Sequence, residues 1–177
     1  GAIITLGSAR ITRATLLGQY HDKQGIYYGG ERQQPETETV IERIENVFPQ
    51  YEKVVLLDMH TGYGPCDQMS LVNSSLEAVD SQIFADRFSY PRVVKTTAEE
   101  FYQIQGDMVD YFYDWAKREH PQVRFYGTSF EFGTLGDSIL ATLRSLWTMV
   151  LENQVHHFGA THERIEARSR AALNSLF

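Results

Sequence analysis

The run Lys53 to Met59 reads KVVLLDM and leads directly into His60-Thr61-Gly62-Tyr63-Gly64-Pro65. A short continuous apolar run that stops at turn residues is the pattern of a strand buried on both faces, as in a mostly parallel sheet. Such a strand needs helices on either side, so it confines the chain to a layered α/β fold. The flanking sequence supplies those helices. From Glu36 to Phe48 the apolar residues Val40, Ile41, Ile44, Val47 and Phe48 make an amphipathic helical stripe, opened by Pro35 and closed by Pro49. Gln19 to Pro35 reads as a polar, aromatic, glycine-rich loop, and the eighteen residues at the start are ambiguous between strand and helix.

Further along, Arg92 to Lys95 is a candidate strand. Thr97 and Glu100 form a capping box ahead of a helix carrying Phe101, Ile104, Met108, Phe112 and Trp115 and ending near Glu119-His120-Pro121. Val123 to Tyr126 opens the next strand, which runs on through Gly127 to Thr134. A buried helix is expected over Ile139, Leu140, Leu143, Leu146, Trp147, Val150 and Leu151, and a polar terminal helix from about Thr161 to Leu176. Strands alternating with long helices predict a three-layer α/β/α arrangement with a mostly parallel or mixed sheet. No repeat or linker divides the chain, and 177 residues suffice for one core that buries roughly 70% of the unfolded surface, so residues 1–177 are read as a single domain.

Charge and composition exclude several function classes. A formal net charge of −7 leaves no broad cationic surface for phosphates or anionic lipid, so nucleic acid and membrane are not expected partners. No apolar run approaches the ~20 residues that span a bilayer, and the start lacks the basic and apolar blocks of a signal peptide. The lone Cys66 excludes an internal disulfide framework, and the cytoplasm is the expected compartment.

In open α/β sheets, ligands collect beyond the carboxyl ends of the strands, and two strand ends here carry polar groups. Asp58 and His60 lie two residues apart and project to one side of a regular strand. Glu131 stands between Phe130 and Phe132 with a glycine after it, and desolvation there would disfavour the charged carboxylate, as suits a general base. Each residue also has a plain structural reading: His60 as a packed core residue, Glu131 as an ion-pair or backbone hydrogen-bond partner. Cys66 has no activating base close by in sequence. His156, His157, His162 and Glu166 form a second histidine cluster, a rival metal site whose plainer reading is a polar, solvated connection between two helices.

Three segments, GQYHDKQGIYYGG, LLDMHTGYGP and SFEFGT, in this order and at this spacing, resemble the C-terminal half of the zinc carboxypeptidase superfamily, in particular a bacterial branch of predicted metallopeptidases of unassigned substrate. The likeness covers most of Gln19 to Thr134 and departs at Cys66-Asp67, where Tyr-Gly is usual in the branch. It implies a zinc ion held by an HxxE pair and a later histidine, which matches His60, with a late glutamate, matching Glu131, as general base. The implied activity is hydrolysis of a peptide or amide bond by metal-activated water. On this reading Asp58 supports the ligand from behind, and Thr61, Gly62 and Gly64 shape the loop by which substrate approaches. None of the six histidines is followed by Glu three positions on, and the family's Asn-Arg pair is absent too. The resemblance therefore implies that this chain is the C-terminal portion of a catalytic domain, inactive alone, with an incomplete sheet and an N-terminal half of the same protein or an oligomer partner beside it. The expected substrate is a small peptide or an acylated amino acid. The alternatives are an N-acyl amino acid deacylase and a non-catalytic binding domain that keeps the fold without the HxxE motif.

Overall fold

The computed structural model describes residues 17–62, 64–97, 106–136 and 138–174. In chain order the elements are α1 (Pro35–Val47), a 3-10 turn (Phe48–Gln50), β1 (Lys53–Gly62), β2 (Met69–Asn73), α2 (Ser81–Phe88), β3 (Val93–Lys95), α3 (Met108–Glu119), β4 (Arg124–Gly133), α4 (Ile139–Phe158) and α5 (Glu163–Asn174). The four strands form one mixed sheet in the order β1-β4-β2-β3. β1 runs parallel to β4 and β2 parallel to β3, while β2 and β4 are antiparallel. Helices lie on both faces, which makes the layered α/β/α fold that the KVVLLDM run predicts.

Residue parity divides the sheet. Val54, Leu56, Asp58 and His60 of β1 share one face with Phe125, Gly127, Ser129 and Glu131 of β4, because Val54 pairs with Phe125 and His60 with Glu131 in an unbroken register. That face carries the main core. Phe48, Phe112, Trp115, Ala116 and Val123 are buried together, with Ile41, Ile44, Val54, Leu56 and Phe125 packed against them. Phe48 and Trp115 meet edge to face with ring centroids 5.0 Å apart, and each buried aromatic adds roughly 1.5–3 kcal/mol of hydrophobic stabilisation. α3 comes close because β4 has a glycine beneath it: a Cβ on Gly127 would lie 2.8 Å from Val109 Cγ1. Tyr113 of α3 continues the row beyond the end of β2, its hydroxyl accepting from the Gly127 N–H at 3.2 Å and donating to the Glu77 carboxylate at 2.7 Å. Burial and the neighbouring Glu77 carboxylate push the Tyr113 phenol far above its usual pKa.

On the opposite face, α2 stacks Phe84 on Tyr126 with centroids 4.7 Å apart. The Tyr126 hydroxyl donates to the Asn73 Oδ1, and burial raises its pKa to about 12. β1 lies at the sheet edge, and on this second face Val55, Leu57 and Met59 are 62%, 50% and 63% exposed. Two-sided burial of the KVVLLDM strand is thus corrected to one-sided burial: α2 covers β4 and its neighbours and leaves the edge strand bare. The expected buried helix is corrected in the same way. In α4, Ala141 and Thr148 are buried, but Leu140, Leu143 and Trp147 are exposed, because α4 packs mainly on α5 and offers the sheet no such stripe.

The remaining differences concern boundaries. The helix that carries Met108, Phe112 and Trp115 starts at Asp107, whose side chain accepts from the Val109 N–H at 3.0 Å, and not at a Thr97 cap. Gly106 precedes it with φ +78°, a left-handed conformation that suits glycine. Thr97 follows β3 with its N–H donating to the Lys95 carbonyl, and the rest of the capping box expected of Thr97 and Glu100 lies outside the described residues. Glu100, Phe101 and Ile104 lie outside the described residues, as do 1–16 of the ambiguous start. Gln19 to Gln34 is the expected loop, held by a bridge between Gln19 and Tyr28 and by the Gln19 side chain, which donates to the Asp22 and Ile26 carbonyls and accepts from the His21 and Asp22 N–H groups. Two elements, β2 and α2, have no counterpart in the sequence reading.

Candidate functional site

The site face of the sheet ends in a row of ionisable groups. Both β1 and β4 run towards it, so Asp58, His60 and Glu131 arrive at carboxyl ends of parallel strands. His60 pairs with Glu131, and Glu131 pairs with Ser70 of the antiparallel β2, which places three side chains side by side on one face. His60 Nε2 lies 2.8 Å from Asp58 Oδ2, and its Nδ1 lies 3.9 Å from Glu131 Oε1. Glu131 is buried, with 8% of its side chain exposed, whereas His60 is open to solvent over 45% of its side chain. The row thus has a wet histidine, held from behind by one carboxylate, facing a dry one.

Electrostatics follow from that arrangement. Burial pulls the His60 pKa down, but the hydrogen bond and charge of Asp58, then the charges of Glu131 and Asp107, outweigh it and hold the imidazole above its usual 6.5. Asp107 at the α3 N-cap belongs to the same neighbourhood: burial, then the charges of Asp110 and Asp58, raise its carboxyl against the opposing effects of the Val109 N–H and His60. The site is rich in negative charge beside one titratable cation.

The glycines explain how the two motif segments meet. A Cβ on Gly133, the last residue of β4, would stand 1.9 Å from the Pro65 carbonyl oxygen, so only glycine lets the turn after β1 cross the end of β4. Gly64 sits in that turn with φ +111°, where a Cβ would lie 3.1 Å from Ser70 Oγ. The close approach ties the HTGYGP segment to EFGT. Gly62 belongs to β1 and pairs with Gly133. Thr61 is also a strand residue; it pairs with Phe132 on the face opposite His60 and is exposed. Of the residues singled out in the sequence, Asp58, His60 and Glu131 are brought together, Gly62 and Gly64 frame them, and Thr61 points away. Cys66 is exposed, and residual desolvation and the adjacent Asp67 carboxylate push its thiol pKa up, away from a nucleophilic thiolate.

Sequence reasoning missed Ser70 and Asp107. Ser70 belongs to a five-residue strand without clean alternation, so no local signal marks it. Asp107 could have been found, because Gly-Asp directly before an apolar helical stripe is a helix-start signal.

A zinc ion bound here would find one suitable donor. His60 has Nε2 engaged by Asp58, the carboxylate-backed arrangement common behind ligating histidines, and this leaves Nδ1 as the ligand nitrogen. Among the described residues, however, no group of three His, Cys, Asp or Glu side chains is arranged to hold a metal, so these residues fit a corner of a zinc site and not a whole one.

Fold and row together define a layered α/β domain with an ionisable site at the carboxyl ends of adjoining strands. Over residues 2–177 the chain matches the family described as protein of unknown function DUF2817, and it belongs to that family. Neither the curated proteins nor the solved structures give a match. No helix among the described residues is long and apolar enough to cross a membrane.

Proposed function

We propose that this chain carries the base and one metal ligand of a zinc-dependent peptidase or amide hydrolase of the zinc carboxypeptidase type, acting on a small peptide or an acylated amino acid. The supporting observation is the shared row: a buried carboxylate, Glu131, next to the free ring nitrogen of a carboxylate-backed histidine. Asp58 accepts the proton on His60 Nε2, which fixes the imidazole orientation and keeps Nδ1 as the donor nitrogen. Glu131, fixed on a strand rather than a loop, accepts the proton of the attacking water and returns it to the departing amine. Zinc, when bound, supplies a water acidified to a pKa near ~7 and a polarised carbonyl. The other ligands come from outside the described residues, from another part of the same protein or from a partner.

The test is hydrolysis of a panel of short peptides and N-acyl amino acids by the full-length protein with zinc added. Glu131→Gln is expected to lower kcat by roughly 10²–10⁴-fold, the range for a general base, with zinc content unchanged. His60→Ala is expected to lose zinc as well as turnover. Wild-type rates in both variants would overturn the proposal, and faster turnover of N-acyl amino acids than of peptides would assign the deacylase form of it.

A further inference from the structure

The sheet has two unlike edges. β3, on one side, is three residues long and closes with Lys95, a short charged edge of the kind that discourages pairing. β1, on the other, runs for ten residues with no proline and no break in its register to β4. The Glu52 carbonyl accepts from the Arg124 N–H, and backbone groups alternate along a strand, so the even-numbered residues of β1 turn theirs towards β4. Val55, Leu57 and Met59 therefore turn their N–H and C=O groups outwards, and among the described residues no strand meets them. The side chains of the same three residues are the exposed apolar ones on the second face.

Beside this edge lies a groove of about 500 Å³ between α1 and the first half of β1. Ile44 and Val47 line it from α1, Val54 and Leu56 from β1, and the exposed Arg43 and Lys53 add two cations. No carboxylate lines it, although the chain carries a net charge of −7, and among the described residues neither cation has an ion-pair partner. Strand addition needs free backbone donors and acceptors for affinity and a recess for an alternate side chain for specificity, and both are present here. The two cations further select what can dock. Residues 1–16 do not suit them, since that segment carries Arg10 and Arg13 and no acidic residue.

We propose that the outer edge of β1 is a docking site for an extended segment of a partner polypeptide, which adds to the sheet as a further strand, places an apolar side chain in the groove beside α1 and sets a carboxylate against Arg43 and Lys53. Affinity comes from main-chain hydrogen bonds to Val55 and Leu57 and from apolar contact on both faces of the added strand. The cations choose acidic segments over basic ones. No side chain of the row formed by Asp58, His60 and Glu131 takes part, so the proposal stands apart from the hydrolase reading.

The experiment is fluorescence anisotropy of the 177-residue chain with four labelled heptapeptides, DTVTVTG, GTVTVTD and their lysine counterparts KTVTVTG and GTVTVTK. At least one acidic peptide is expected to bind roughly fivefold or more tighter than its lysine counterpart, with the preference shrinking as salt is raised. Whichever acidic peptide shows the preference gives the direction of the added strand. Hydrogen exchange should slow at the Val55 and Leu57 amides on binding and stay unchanged at Val54 and Leu56, whose amides already face β4. Lys53→Glu and Arg43→Glu should each turn the preference towards the lysine peptide. Leu57→Pro removes an outward N–H and should abolish binding of all four peptides; if it also unfolds the chain, the two charge reversals carry the test. Equal affinity for acidic and lysine peptides, a preference unchanged in both charge reversals, unaltered exchange at Val55 and Leu57, or no binding of either acidic peptide would each overturn the proposal. So would a dimer in sedimentation whose Val55 and Leu57 amides are protected without peptide, because the edge would then belong to a second copy of the chain.

Discussion

One face of β1 anchors Val54 and Leu56 in the core formed by Phe48, Phe112 and Trp115, and two residues further on the same face presents Asp58 and His60. The other face carries Val55, Leu57 and Met59 into solvent at the sheet edge. The same backbone serves both, and parity alone assigns each side chain to one environment. What the contrast teaches is where the rigidity of the site comes from. His60 is wet, yet it extends from a strand whose earlier residues on that face are packed against helices, and this limits its freedom without enclosing it. The exposed face contributes apolar surface but little restraint.

The contrast can be broken most forcefully from the core side. Phe112→Ala should cost about 3–5 kcal/mol in urea unfolding, since it removes a fully buried ring from the packed face. Met59→Ser, on the exposed face of the strand, should stay within about 0.5 kcal/mol. Comparable losses would mean that the second face is covered in solution. Gly133→Ala comes next. Its Cβ would collide with the Pro65 carbonyl, so about 1–3 kcal/mol of stability is expected to go. The 64–68 turn should shift with it, visible as amide chemical-shift changes reaching Ser70. An unperturbed turn would show that the close approach does not hold the two motifs together.

The smallest effect sharpens the electrostatic side. In the metal-free chain the His60 imidazole should titrate above 6.5, and Asp58→Asn should lower that value, as read from its ring-proton shifts. The sign follows from linkage. A pKa raised on folding means that His60 contributes stability fully below about 6.5 and loses it as pH rises through the folded value. Because the ring is nearly half exposed, solvent screening limits this to a few tenths of a kcal/mol. A folded-state value at or below 6.5 in the wild type would remove Asp58 as the carboxylate that supports His60.

Much of this was legible along the chain because it depends on local pattern. The apolar run up to His60, the α1 stripe and the strand through Glu131 are long or strongly patterned, and the structure contains all three. β2 escaped notice because MSLVN is five residues long and four of them are buried, which leaves no alternation to read. The α4 stripe was legible as a helix but not as an exposed one. An apolar helical face states that a partner surface suits it, while whether any surface lies against it depends on how the layers stack.

By itself, the sequence determined that the chain is α/β, that Asp58 and His60 share a face, and that Glu131 sits at a strand end, since all of these follow from periodicity and turn chemistry. Only the tertiary structure decided that β1 and β4 are adjacent, and so that His60 faces Glu131. It also decided that an antiparallel β2 brings Ser70 onto the same row. Strand neighbours and register are contacts between residues tens of positions apart, set by the burial of whole faces, and no local pattern encodes them.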